Sequence, residues 1–198
     1  MLAVGVVVGA TSSAFSARSQ SRGNAFTAAA SFCNPETDTV VADADSYVDE
    51  TLLAQGTNFG TASTLAVQSS VLANRRTLVH FTLPAVPAHC SLTSASLWLN
   101  ASAATAGRTL DAYRAASSWT EGAVTWATAP GVTGSATSSS SGTGWRQWNV
   151  TAQADAMYSA ANNGFVVRDA TESDLVGATQ TFSSREGANP PQLVVSFG

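Results

Sequence analysis

The stretch RTLVHFTL, residues 76–83, alternates apolar and polar side chains with a period of two, and the same period returns in short runs along the chain. Successive side chains leave opposite faces of a strand, so this period suits a pleated layer with a buried face and does not suit a helix. Nine runs are readable after Cys33: TVVADADSYV, STLAVQSS, RTLVHFTL, SASLWLNAS, RTLDAYRA, WRQWNVT, GFVVRD, ATQTFSS and PQLVVSF. Clusters of Gly, Ser, Asn and Pro separate them, and no long segment carries a helical period. The pattern predicts an all-β sandwich of two packed sheets with at most one short helix. That helix belongs to DAMYSAANN, residues 155–163, where Asn162, Asn163 and Gly164 supply a stop. GVTGSATSSSSGTG, residues 131–144, reads as a polar loop.

Parity assigns faces. Val79, Phe81 and Leu83 point to the core together with Arg75, while Leu78, His80 and Thr82 point away. In the next strand Ala95, Leu97, Leu99 and Ala101 face in, which sends Trp98 outward with Ser96 and Asn100. Leu110 and Ala112 face in and leave Asp111 and Tyr113 outside; Trp148, Val150, Leu193, Val195 and Phe197 all face in. Trp98 and Tyr113, outward on strands that are neighbours in sequence, form a candidate platform for a ligand with stacking C–H faces, as sugars have. The competing reading is that a loop or the N-terminal segment covers them. SWTEGAVTW, residues 118–126, sets Trp119 and Trp126 around a Thr-Glu-Gly turn, either as a sticky surface or as a core plug, since tryptophan has a large apolar body and one N–H in need of a partner.

The 198 residues make one domain of ordinary size. Only 11% are charged, arginine is present without lysine, and the net charge is −4, so the basic stripe that a nucleic acid requires is missing. Cys33 and Cys90 form no CxxC pair, which speaks against zinc and thioredoxin-type redox chemistry; a disulfide is the sharper reading, stabilising by about 4 kcal/mol through closure of a long loop. The apolar run from Leu2 to Ala10, followed by small residues, reads as a secretory signal and is too short to cross a bilayer. Residues 1–30 are therefore expected as an export leader and mature N-terminal segment, and residues 31–198 as a single domain in the extracellular space or at the cell surface. AFSARSQSRGNAFTA, residues 14–28, resembles the mature N-terminus of camelysin and TasA-like envelope proteins.

Several landmarks occur together: ADADSYVDE, TNFGTASTLAV, NRRTLVHFTLP, SWTEGAVTW, WRQWNVT, NNGFVVRD and FSSREGANPPQLVVSF. In this order and spacing they resemble the DNRLRE-domain family, also known as carbohydrate-binding module family 96, from about Asp38 to Phe197. Phe59 departs from the family's usual tyrosine, and Trp98 from its usual polar or basic residue. The resemblance implies a jelly-roll sandwich in exported or cell-surface proteins, often joined to polysaccharide lyases, with acidic polysaccharides such as alginate as ligands of some members. It makes Trp119 and Trp126 framework, with Glu121 accepting a hydrogen bond in the turn, and places Arg75, Trp148, Arg185 and Glu186 in the same structural signature.

Arginine grips a carboxylate with two parallel hydrogen bonds, so Arg75, Arg76 and Arg185 are candidate contacts for an acidic polysaccharide. For Arg75 and Arg185 the favoured reading is internal pairing with Asp43, Asp45 or Glu186, leaving Arg76 as the free one. Asp43, Asp45 and Asp49 are candidate ligands of a structural calcium ion, without the EF-hand spacing; solvated carboxylates or arginine partners are the plainer reading. RDATESDL, with Asp169, Glu172 and Asp174, is a weaker candidate. With His80 and His89 as the only histidines, and no GxSxG or HExxH, hydrolytic triads and zinc peptidases lack their parts; Glu121 and Glu186 stay open as a carboxylate pair. The expectation is a secreted, non-catalytic module that binds polysaccharide. Its alternative is an envelope or fibre subunit that self-associates by donating the segment around residues 14–30 as a strand.

Overall fold

The computed structural model describes residues 32–198. β1 (Glu36–Val41), β2 (Ala44–Asp49), β3 (Thr64–Ser69), β4 (Arg75–His80), β5 (Leu92–Ala104) and β6 (Thr109–Ala115) lead to β7 (Val132–Ser140) and β8 (Gly144–Asn149). One helix, α1 (Thr151–Ser159), separates these from β9 (Phe165–Asp169), β10 (Ala178–Ser183) and β11 (Gln192–Phe197). Every pairing is antiparallel. The strands form one curled sheet in the order β1-β11-β5-β10-β3-β4-β9-β6-β7, with β2 added to β4 and β8 to β5. The chain is thus an all-β sandwich.

The inward faces meet in one core. Leu97 and Leu99 of β5, Trp148 of β8, Phe182 of β10 and Leu193 and Val195 of β11 pack there with Val79, Leu110 and Phe165, and α1 closes one end with Ala154 and Met157. Trp148 is fully buried, and its Nε1–H donates to the Leu110 carbonyl at 2.8 Å, so the one polar atom of the ring is satisfied within the core.

A second apolar cluster lies on the outer side of β2, β4, β9 and β6. Val48, Leu78, Ala115 and Val166 are covered by the connection between β6 and β7, which brings in Val124 with Trp119 and Trp126. Leu78 points away from the main core, as parity requires, and is buried regardless, at 1% exposure. Trp119 Nε1–H donates to the Asn163 carbonyl at 2.9 Å.

Three features depart from the periodicity reading. The helix runs over Thr151–Ser159 and ends before Asn162, four residues earlier than residues 155–163. TVVADADSYV is two strands: β1 pairs with β11 and β2 with β4, and the chain turns between layers at Ala42 and Asp43. Unbroken alternation carries no mark of that corner. The serine-rich segment read as a loop contains β7, which pairs with β6. An edge strand needs partners for its main chain on one side only, so hydroxyl side chains suffice where no apolar face is required. Cys33 and Cys90 form a disulfide.

Candidate functional site

β5 pairs with β8 on one side and β11 on the other, and the outward side chains of the three strands form a continuous surface. Trp98 stands opposite Gln147 of β8, and Trp145 opposite Asn100 of β5, so the two indoles are diagonal neighbours within reach of each other. They border an open cleft of about 360 Å³ lined also by Ser96, Gln147, Gln192 and Val194. Trp145 is 40% exposed, a large area for an indole to leave in water. Gln147 Nε2–H donates to Ser96 Oγ at 2.9 Å, which orients both across the strand pair. Among the described residues neither indole N–H nor the Gln192 amide has a partner.

Parity placed Trp98 outward; Trp145 was missed, although WRQWNV carried the signal. With Trp148 inward, a residue three positions earlier must face out.

Tyr113 does not join this surface. Four strands (β10, β3, β4 and β9) lie between β5 and β6 along the sheet, so Trp98 and Tyr113 form no common platform. Strands adjacent in sequence need not be adjacent in a sandwich, and here a crossover separates them. Tyr113 instead lies under Arg168, whose Cζ is 4.9 Å from the ring centroid. Arg76 is not free either: its Nε and Nη2 donate to both Glu172 oxygens at 2.7 and 2.8 Å, and its guanidinium stacks 4.6 Å from the Trp126 ring. Arg168 reaches the same Glu172 at 3.3 Å, which makes one ladder of aromatic, cation and carboxylate.

The remaining candidates are internal. Arg75 pairs with Asp49 at 2.7 Å rather than with Asp43 or Asp45. Arg185 donates to both Glu121 oxygens at 2.8 and 3.0 Å and contacts Glu186 at 3.0 Å. Glu121 and Glu186 therefore share one guanidinium. Glu121 also accepts the Asp45 backbone N–H at 2.8 Å.

Asp43, Asp45 and Asp49 do not converge as a calcium site. Asp43 accepts from Thr82 and contacts the His80 ring, and Asp49 holds Thr51 and Arg75. For both, burial opposes ionisation, yet these hydrogen bonds outweigh it and hold the carboxyls below the usual carboxylate range. Asp45 differs: desolvation, reinforced by the Glu186 and Glu121 charges, pushes it up to about 7 against the Arg185 backbone N–H that it accepts. Asp169 and Asp174 both grip Arg108, a partner that periodicity did not indicate. Among the described residues no group of three or more His, Cys, Asp or Glu side chains could hold a metal ion.

A larger cleft, about 730 Å³, runs between β7 and α1 past Arg114, Asn149 and Asp155. Its lining contains no aromatic ring, and its Gln153 amide is engaged by Ser135 and Thr137.

Comparison with known families matches residues 36–197 to carbohydrate-binding module family 96. No curated protein matches the chain.

Proposed function

The chain belongs to carbohydrate-binding module family 96, and from that premise we propose that the outer face of β8, β5 and β11 is its glycan-binding surface, in a non-catalytic module that works outside the cell. The observation that carries this reading is the pair of diagonal indoles, Trp98 and Trp145, with unpartnered N–H groups beside a free Gln192 amide. Sugar rings present C–H faces that stack on indole, and their hydroxyls take hydrogen bonds from amides and indole N–H groups at the rim. Tyr113 and Arg76, the other candidate contacts, are already engaged by Arg168 and Glu172. The disulfide fits an oxidising compartment, and no described helix is long and apolar enough to cross a membrane. The expected signal segment and the donor segment of the fibre reading lie outside the described residues.

Native affinity electrophoresis of the full chain in gels containing soluble polysaccharides tests the surface. Wild type is expected to be retarded in at least one polymer, and Trp98→Ala to migrate as it does without polymer. Equal retardation of both proteins would rule out this face. The two proteins are expected to melt within a few degrees of each other, since Trp98 leaves the core untouched.

A further inference from the structure

The register carries the site beyond two rings. Residues directly opposite in antiparallel strands share a face, so the pairings Val41–Gln192, Gln192–Trp98 and Trp98–Gln147 draw one row across β1, β11, β5 and β8. The next row runs Thr39, Val194, Ser96, Asn149. The Thr37 and Ser196 hydroxyls, 2.9 Å apart, extend the surface at its far end. None of the outward positions on these four strands is Asp, Glu, Arg, Lys or His. The charged residues of these strands, Glu36, Asp38 and Arg146, stand opposite the inward Phe197, Val195 and Leu99 and so leave on the other side, and every ion pair of the described residues belongs to β2, β4, β9 or a connection.

A face of hydroxyls, amides, small apolar groups and two indoles offers nothing to neutralise a carboxylate or sulfate. An anionic chain laid there would lose hydration without gaining a counter-charge. An uncharged chain loses little, because amides and hydroxyls replace its water and the rings take its apolar faces.

We infer that the ligand of this face is a neutral polysaccharide, lying across the four strands and anchored on Trp98 and Trp145. This rests on the glycan-binding reading given above and departs from the acidic polysaccharide expected from the resemblance. The three arginines first considered for an acidic chain are paired with carboxylates elsewhere: Arg75 with Asp49, Arg76 with Glu172, Arg185 with Glu121. Arg146 of β8 stands opposite the inward Leu99, so it leaves the strand on the other side, and is held by Ser140.

The test compares wild type, Trp98→Ala, Trp145→Ala and Val194→Lys in gels containing hydroxyethyl cellulose or alginate, at low and at high salt. Wild type is expected to bind hydroxyethyl cellulose and not alginate, with no salt dependence, and each tryptophan variant to bind about tenfold more weakly or worse. Val194→Lys puts a cation into the middle of the face while keeping both indoles, and is expected to confer salt-sensitive alginate retardation. Binding of alginate alone, lost with Trp98→Ala, would overturn the neutral ligand and leave the surface standing. Binding of either polymer that no tryptophan variant affects would overturn both, as would no retardation in either polymer. Near-ultraviolet circular dichroism of each variant separates lost binding from lost fold.

Discussion

Asp45 sits on β2 with 1% exposure, its Oδ2 accepting the Arg185 backbone N–H at 2.7 Å and the Glu121 and Glu186 carboxylates nearby. Desolvation first, and those two charges second, raise it from the usual 3.8 to about 7. The unfolded chain releases this proton near 3.8 while the folded chain keeps it to about 7, so between those values the folded state binds more protons. Stability therefore falls as pH rises through that window and levels off above it. Unfolding free energies from urea melts are expected to be lower at pH 8 than at pH 5, by roughly 2–3 kcal/mol. In Asp45→Asn, which keeps an oxygen for the Arg185 N–H, most of that difference is expected to disappear; a variant with the full wild-type slope would remove Asp45 as its source.

The segment between β6 and β7 is irregular, yet it closes the second apolar cluster. A 3₁₀ turn at Trp126–Thr128 and the Trp119 ring lay it over Leu78 and Val166. Its anchor is Glu121, which holds the Arg185 guanidinium and the Asp45 N–H, while Asn58 Nδ2–H donates to the Glu121 and Val124 carbonyls at 2.6 and 2.8 Å. Gly60 packs beneath: a Cβ there would fall 2.2 Å from the Glu121 carbonyl oxygen, which only glycine avoids. Glu121→Ala would leave Arg185 with Glu186 alone and the Asp45 N–H without its acceptor. The loss is expected to be about 1–3 kcal/mol, moderated because Arg185 is 38% exposed and screened by water. Urea melts should show it, together with a red-shifted tryptophan emission as Trp119 and Trp126 gain water. Unchanged emission would mean that the segment is held by packing alone.

Over the whole molecule, the disulfide ties Cys33, just before the edge strand β1, to Cys90 at the entry of β5, across 57 positions of sequence. Reduction under native conditions is expected to lower stability by about 2–5 kcal/mol, read as a drop in the urea midpoint with reductant; an unmoved midpoint would show that β1 is held by its pairing with β11 alone. The all-β class, the burial of Leu97, Leu99 and Trp148 and the outward placement of Trp98 were legible in the chain, because a strand's two faces are set by local stereochemistry and apolar spacing. Trp145 was legible by the same rule. What stayed hidden was adjacency. Trp98 shares a cleft with Trp145 and not with Tyr113, Arg76 meets Glu172, Arg108 meets Asp169, and β7 forms from serine and threonine, all through pairings between residues far apart in sequence. The sequence by itself determined which side chains leave each strand on which side, since that follows from the pleat. Only the tertiary structure decided which strands lie next to one another, hence which arginines are occupied and which face is free of charge, because strand order is chosen by the packing of the whole core and no local spacing encodes it.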